Sequence, residues 1–252
     1  PMPSLTGPPT SRACSNWPWQ PSPTDATSSQ LFLTYPNNSW HSVRVDLSNP
    51  LATLTPTLDA AVLQVLAATT APCTAAEIHR RMARGSDEGV RRVLARLVVQ
   101  GIVLTHAPAR YPLYWLNRDH VAAPLIMALS HLRGIVFTRI HDAVLGWPLA
   151  PVHASLFGSF ARGEAGADSD IDVLAIRPRR LQEGQAEAWQ LQLDTLSESI
   201  RTWTGNPAQI VDLDLATLTV MVREKDPIVD AWRSDVVHIA GDRLLDVLRG
   251  VR

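Results

Sequence analysis

Two aspartates spaced two residues apart, Asp170 and Asp172, stand at the start of an apolar segment that ends at Ile176. The alternation predicts a strand, and a strand sends residues i and i+2 to the same face. Two adjacent carboxylates repel each other, and burying them without a partner is costly. A divalent cation between them removes this conflict. Mg²⁺ suits the position because it favours one or two carboxylates together with substrate phosphate oxygens.

A second group of residues, just upstream, has the properties of a phosphate cradle. Gly158 follows a predicted strand and lets the backbone approach a ligand closely. Ser159 adds a hydroxyl where a helix would begin, so that unpaired N–H groups point outward. Arg162 adds a planar cation suited to phosphate. The cradle and the carboxylate pair together predict metal-assisted chemistry on a nucleoside triphosphate.

The run G-S-x-A-R-G from Gly158, followed by S-D-I-D-V-L from Ser169, resembles the signature of the DNA polymerase β-like nucleotidyltransferase superfamily. Within it, the closest resemblance is to the minimal nucleotidyltransferases of prokaryotes. The resemblance implies an α+β (α/β) domain, with a small mixed sheet flanked by helices. It implies transfer of a nucleoside monophosphate, AMP by preference, from ATP or another nucleoside triphosphate to a hydroxyl. Asp170 and Asp172 would be catalytic and metal-binding, and Gly158, Ser159 and Arg162 would bind the nucleotide.

The same resemblance implies two Mg²⁺ ions and a third carboxylate on a neighbouring strand. The segment Ala208–Leu213 is predicted to be that strand, and its V-D-L context assigns the catalytic and metal-binding role to Asp212. Asp214 is the competitor, because it would share a strand face with Asp212. However, Asp214 also precedes a predicted helix over Leu215–Glu224 and has a structural role available there as an N-cap. We therefore expect Asp212 to be the third ligand.

The chain divides into four predicted parts. They are a disordered Pro/Ser-rich tail (residues 1–44), a winged helix-turn-helix domain (45–118), a linker helix (119–147) and the nucleotidyltransferase domain (148–252). In the second part, three capped helical segments precede two short strands, and the loop between the strands, 107–110, would be the wing. The tail shows no hydrophobic period, which is typical of disorder.

The third helix of the predicted winged helix occupies the position that enters the DNA major groove in this motif. Its outward side carries Arg91, Arg92 and Arg96, which predicts phosphate contacts and a few base contacts with duplex DNA. Winged helices also serve as protein-docking or dimerising modules, and no feature of the sequence separates the two interpretations.

The linker is predicted to be a single long helix over Val121–Leu145, with an apolar stripe at helical spacing. The stripe must be buried against either the catalytic domain or a partner subunit. The second alternative would make the protein a homodimer.

Composition sets the limits of these predictions. The net charge of −1 gives no overall polycation to hold nucleic acid, so any such contact must be local. The two isolated cysteines form neither a disulfide framework nor a zinc motif, which favours a reducing cytoplasm. No uninterrupted apolar run approaches the length of a membrane span.

The sequence therefore predicts an Mg²⁺-dependent nucleotidyltransferase positioned by a winged-helix module. Its acceptor is a hydroxyl of a protein or of RNA, and a small molecule is a third alternative. The competing interpretation is a DNA-binding transcriptional regulator whose nucleotidyltransferase-like domain senses nucleotide. The pair Asp170/Asp172 favours the enzyme, because a sensor would not need both carboxylates.

Overall fold

The structure is a computed structural model that describes residues 44–82, 85–106 and 111–251. This part of the chain is α+β. The helices are α1 (Leu58–Ala67), α2 (Ala75–Arg81), α3 (Asp87–Val99), α4 (Ala123–Ser130), α5 (Leu132–Leu145), α6 (Gly158–Arg162), α7 (Gln185–Thr204), α8 (Leu215–Glu224), α9 (Pro227–Asp235) and α10 (Leu244–Gly250). The strands are β1 (Cys73–Thr74), β2 (Val103–His106), β3 (Leu113–Leu116), β4 (His153–Phe157), β5 (Ile171–Ile176), β6 (Ala208–Leu213) and β7 (Val237–Gly241). The predicted tail, up to residue 43, and the predicted wing, 107–110, lie outside the described residues.

Local capping chemistry sets the helices of the N-terminal part. Thr74 accepts a hydrogen bond from the Glu77 backbone N–H, and the Glu77 carboxylate accepts one from the Thr74 N–H, so the predicted capping box begins α2. The Ser86 hydroxyl accepts from the Gly89 N–H at 3.1 Å and begins α3, as predicted. These bonds satisfy N–H groups that the first helical turn leaves unpaired.

The N-terminal strands form an antiparallel sheet in the order β1-β3-β2. Leu66, Ile78 and Leu94, from the three helices, are fully buried beside it in one apolar core. The elements follow one another as helix, strand, helix, helix, strand, strand. With the wing outside the described residues, the winged helix-turn-helix remains an interpretation.

The prediction of one long linker helix is wrong. The chain forms α4 and α5 instead, bent by 58° at His131. The Ser130 hydroxyl donates to the Met127 carbonyl at 2.7 Å, and His131 Nδ1 lies 2.7 Å from the same oxygen. Side chains that bind backbone carbonyls in this way compete with the helical ladder. No single helix among the described residues is long and apolar enough to span a membrane, and α4 with α5 would pass only as a bent pair, by length and composition.

Because of the bend, α4 and α5 pack into different apolar cores. Ile126 of α4 is buried in the N-terminal core, whereas Val136, Ile140 and Val144 of α5 are buried against the C-terminal sheet. The stripe of α5 is thus covered by the C-terminal part of the same chain, and its burial requires no partner subunit.

The C-terminal sheet is mixed, with the order β6-β5-β4-β7. β4 is antiparallel to both β5 and β7, and β5 is parallel to β6. Helices α5 and α7 cover one face, and α8, α9 and α10 cover the other. This arrangement agrees with the predicted small mixed sheet flanked by helices. The edge strand β7 was not predicted from the sequence.

The predicted domain boundary at residue 45 is also corrected. Leu47 is only 3% exposed and packs in the core of the C-terminal sheet, with Ile200 of α7. The Val45 N–H donates to the Thr204 carbonyl at 3.0 Å, and the Ser48 N–H donates to the Ala165 carbonyl at 2.8 Å. Four residues placed with the winged helix on sequence grounds therefore complete the C-terminal part.

Candidate active site

Strand β4 runs directly into α6, and β5 returns antiparallel beside it. In this register Phe157, the last residue of β4, is paired with Asp172. The predicted sequence of strand, short helix, loop and strand is confirmed, and it brings the Gly-Ser turn next to the aspartate pair.

Gly158 lies directly under the Asp172 carboxylate. Its φ is +68°, a conformation that favours glycine. A Cβ at residue 158 would overlap Asp172 Oδ2 and lie 3.3 Å from Asp172 Cγ. The glycine predicted for close approach to a ligand is therefore needed first for close approach to this carboxylate.

The charge of Asp170 acts on the Asp172 carboxyl. Burial raises the pKa of the Asp172 carboxyl above its ordinary value, the Asp170 charge raises that pKa further, and Arg162 counteracts both. Both aspartates remain partly exposed. A divalent cation between the two carboxylates would offset both the burial of Asp172 and the repulsion that it meets from Asp170.

Ser159 lies in the first turn of α6 and is partly exposed. No side-chain cap closes the start of α6 in the part of the chain that the structure describes. The first turn of a helix leaves its backbone N–H groups without partners in the helix, which suits an anion held beside Asp172.

Arg162 is engaged by carboxylates. Its Nε donates to Glu164 Oε2 at 2.8 Å, and its Nη1 donates to Asp235 Oδ2 at 2.7 Å. A triphosphate would have to share this guanidinium with two acidic side chains. These carboxylates would compete with phosphate for Arg162, and the phosphate contact stays a prediction.

The structure places a further arginine beside the same unit. The Arg133 guanidinium, from the first turn of α5, lies against Gly163, and a Cβ at that glycine would overlap Arg133 Nη1. In the sequence Arg133 was only a charged position on an apolar helix. The sequence could not indicate this contact, because only the tertiary fold brings α5 and α6 together.

Asp212 does not join Asp170 and Asp172. Asp212 is paired with Ala175, whereas Asp172 is paired with Gln209, so the two aspartates are about 10 Å apart along the strands. They also lie on opposite faces of the sheet. Asp212 Oδ1 accepts from Trp189 Nε1 at 3.1 Å on the α7 face, where it lines a cavity of about 260 Å³. The expectation of Asp212 as a catalytic third ligand, and of a second Mg²⁺ held by it, is not met.

Asp214 has the structural role foreseen for it. Its carboxylate accepts from the Thr217 N–H at 2.7 Å and begins α8. The pKa of Asp214 is lowered, chiefly by this backbone hydrogen bond. Arg177 lies 3.8 Å from Asp212 and 3.9 Å from Asp214, so both carboxylates have a cation beside them.

The loop before Asp170 is held in place by Asn206, which follows the end of α7. Asn206 is fully buried, and its amide donates to the carbonyls of Ala167 and Ser169 at 3.3 and 3.0 Å. Its Oδ1 accepts from the Val45 N–H at 3.1 Å. The residue thus positions the backbone immediately before the first aspartate of the pair.

The three arginines predicted to bind DNA all carry acidic partners. Arg91 pairs with Asp87 and Arg92 with Glu88 along α3. Arg96 pairs with Asp59 of α1. The outward side of α3 is therefore close to neutral, which reduces its attraction for phosphate.

Among the described residues, no group of three or more His, Cys, Asp or Glu side chains is placed to hold a metal ion. The site is a carboxylate pair that would need substrate phosphates to complete a metal's coordination. Residues 145–225, which contain this site, match the family model of the nucleotidyltransferase domain. No curated protein matches the chain. The match supports the nucleotidyltransferase superfamily for this segment, and with it a transferase of nucleotidyl groups.

Proposed function

We propose that residues 145–225 catalyse Mg²⁺-dependent transfer of a nucleoside monophosphate from a nucleoside triphosphate, ATP first, to a hydroxyl of a protein or RNA. The observation that carries the proposal is the contact between Gly158 and Asp172, with Asp170 beside it. It unites the turn suited to phosphate with the carboxylates suited to a cation. The match of this segment to the nucleotidyltransferase domain supports the same chemistry.

In this proposal, Asp170 and Asp172 hold Mg²⁺, which would neutralise charge on the triphosphate and on the departing pyrophosphate. The first turn of α6, with the Ser159 hydroxyl, binds terminal phosphate oxygens. The acceptor oxygen forms a bond to the α-phosphorus, the bond to pyrophosphate breaks, and the hydroxyl proton passes to water. Arg162 contributes positive charge to the same region while it remains paired with Glu164 and Asp235.

The test uses the full chain with Mg²⁺ and α-labelled ATP, with RNA or a protein extract supplied as acceptor. We expect pyrophosphate release and a labelled product that is sensitive to either nuclease or protease. Asp170→Asn and Asp172→Asn should each reduce turnover by at least about 100-fold, the scale of losing one electrostatic group in an active site. Asp168→Asn, on the exposed loop before the pair, is the matched control. Turnover of Asp172→Asn equal to that of Asp168→Asn would contradict the proposal.

A second candidate function is nucleotide sensing by a DNA-binding regulator. One observation favours it: Asp212, expected as the third carboxylate, lies on the other face of the sheet. Tight ATP binding without pyrophosphate release would support the sensor and exclude the transferase.

Duplex DNA is the partner that the sensor requires. Binding measured by fluorescence anisotropy at two salt concentrations tests it, because contacts with phosphate weaken as salt rises. If α3 binds DNA, alanine at Arg91, Arg92 and Arg96 should lower the affinity and flatten its salt dependence. Because each arginine is ion-paired, Asp87→Asn with Glu88→Gln should raise the affinity.

A further inference from the structure

The strand next to Asp172 carries no carboxylate on the face that Asp172 occupies. Parallel pairing places Gln209 beside Asp172, and partners in a parallel ladder share a face. The next residues of β6 on this face are Val211 and Leu213, which pack in the apolar core with Leu174 and Ile176 of β5. Only Gln209 lies at the open end of this row, where it is exposed.

Gln209 therefore occupies the place on β6 from which a ligand could reach an ion held by Asp172. Its amide oxygen is neutral. Two divalent cations bound close together repel strongly, and anionic ligands shared between them offset that repulsion. A neutral amide offsets much less of it than a carboxylate would.

The other acidic side chains near this region have different roles. Asp212 lies on the opposite face, hydrogen-bonded to Trp189. Asp214 caps α8, and both Glu164 and Asp235 are bound to Arg162. Among the described residues, the site is thus limited to the carboxylates of Asp170 and Asp172.

We propose that this site binds one divalent cation per nucleoside triphosphate, on Asp170 and Asp172, and that Gln209 stands where a ligand to a second ion would be needed. The inference rests on the proposed function, because it assumes that the triphosphate binds beside this pair. The proposed site holds one metal ion, where the sequence predicted two. In this proposal the neutral side chain of Gln209 limits the number of bound ions to one.

The experiment counts ions directly and does not depend on turnover. The full chain, in excess over an ATP analogue with a methylene group between the α- and β-phosphorus atoms, is dialysed to equilibrium against Mn²⁺. Bound Mn²⁺ is measured per bound nucleotide. The wild-type chain should hold one ion, and Gln209→Glu should hold two. Gln100→Glu, which adds a carboxylate at an exposed position after α3, should hold one, as should Asp212→Asn.

The outcomes separate the two proposals. Two ions per nucleotide in the wild-type chain, or a lower count in Asp212→Asn than in the wild type, would overturn the one-ion site and leave nucleotide binding standing. A count of one in a folded Gln209→Glu variant would overturn the place given to Gln209. Failure of the wild-type chain to bind the analogue with Mn²⁺ would overturn the proposed function itself. Thermal melting of each variant confirms that it is folded before the ions are counted.

Discussion

Gly158 is the residue on which the position of the Asp172 carboxylate depends. Gly158→Ala should destabilise the fold by about 1–2 kcal/mol from the left-handed backbone alone, and the new methyl group must also displace Asp172. We expect lower thermal stability and loss of the melting shift produced by Mg²⁺ and ATP. Gly134→Ala is the matched control, because residue 134 is helical with open space around it. It should stabilise the protein slightly. Equal melting shifts in the two variants would argue against the Gly158 contact.

Asp172 is expected to lower stability when no ligand is bound. The pKa of its carboxyl is raised in the folded state, so the folded protein binds a proton more readily than the unfolded chain. The protonated Asp172 carboxyl stabilises the fold at pH values below its pKa in the unfolded chain. This stabilisation is lost as the pH rises through its pKa in the folded protein. At neutral pH the charged group therefore destabilises the fold. Asp172→Asn should melt at a higher temperature without ligand, yet show no shift with Mg²⁺ and ATP. A melting temperature no higher than that of Asp168→Asn would count against this account.

At this scale the sequence predicted that Asp170 and Asp172 lie close together, and it misplaced Asp212 relative to them. Asp172 lies in β5 and Asp170 comes just before that strand, so their closeness follows from the local sequence. The face of Asp212 depends on the register between β5 and β6. Beyond Asp172, β5 is apolar on both faces. Its sequence therefore does not indicate which residues of β6 lie on the same face as Asp172.

Among the elements, the loop before β5 depends on Asn206. Asn206→Ala removes both carbonyl contacts and the acceptor for the Val45 N–H, and should cost about 1–3 kcal/mol because buried groups lose their partners. It should also weaken Mg²⁺-ATP binding, measured by titration calorimetry, because the loop leads into Asp170. The control is Asn117→Ala, which loses a hydrogen bond to the Gly101 carbonyl in the N-terminal part. That variant should lose stability and keep nucleotide affinity. Unchanged affinity in Asn206→Ala would show that the loop does not position Asp170.

The helices show the same limit of local information. Caps at Thr74, Ser86 and Asp214 were predictable, because each lies within three residues of the N–H group it binds. The bend at His131 was not, because the apolar stripe continues through it without a break in spacing. The helix bends because its two halves pack into two different cores. An apolar pattern at helical spacing does not indicate which core each turn will face.

For the whole molecule, the buried imidazole of His153 predicts how stability varies with pH. Its Nδ1–H donates to the Asp242 carbonyl at 2.8 Å, and its Nε2 lies 2.9 Å from the Ser155 hydroxyl oxygen. Burial, mainly, lowers the pKa of His153 below its usual 6.5. The unfolded chain therefore takes up the proton first, and stability is lost as pH falls from 6.5 towards the folded pKa.

The free energy of unfolding, measured with urea at several pH values, should fall by up to about 1.4 kcal/mol per pH unit in that window. His153→Gln should be less stable at pH 8 and should lose less stability on acidification. The exposed His106→Gln provides the comparison. A slope in His153→Gln as steep as in His106→Gln would show that the acid sensitivity arises elsewhere.

The strip of chain at Val45–Ser48 means that the C-terminal part is discontinuous in sequence. Its first pieces precede the N-terminal helices, and the remainder follows them. Recombination at residue 119 or 148, the predicted domain boundaries, would therefore not transfer the complete C-terminal part. A recombinant that gained only the later segment would lack Leu47 and would have a cavity in the apolar core to which Leu47 and Ile200 both belong.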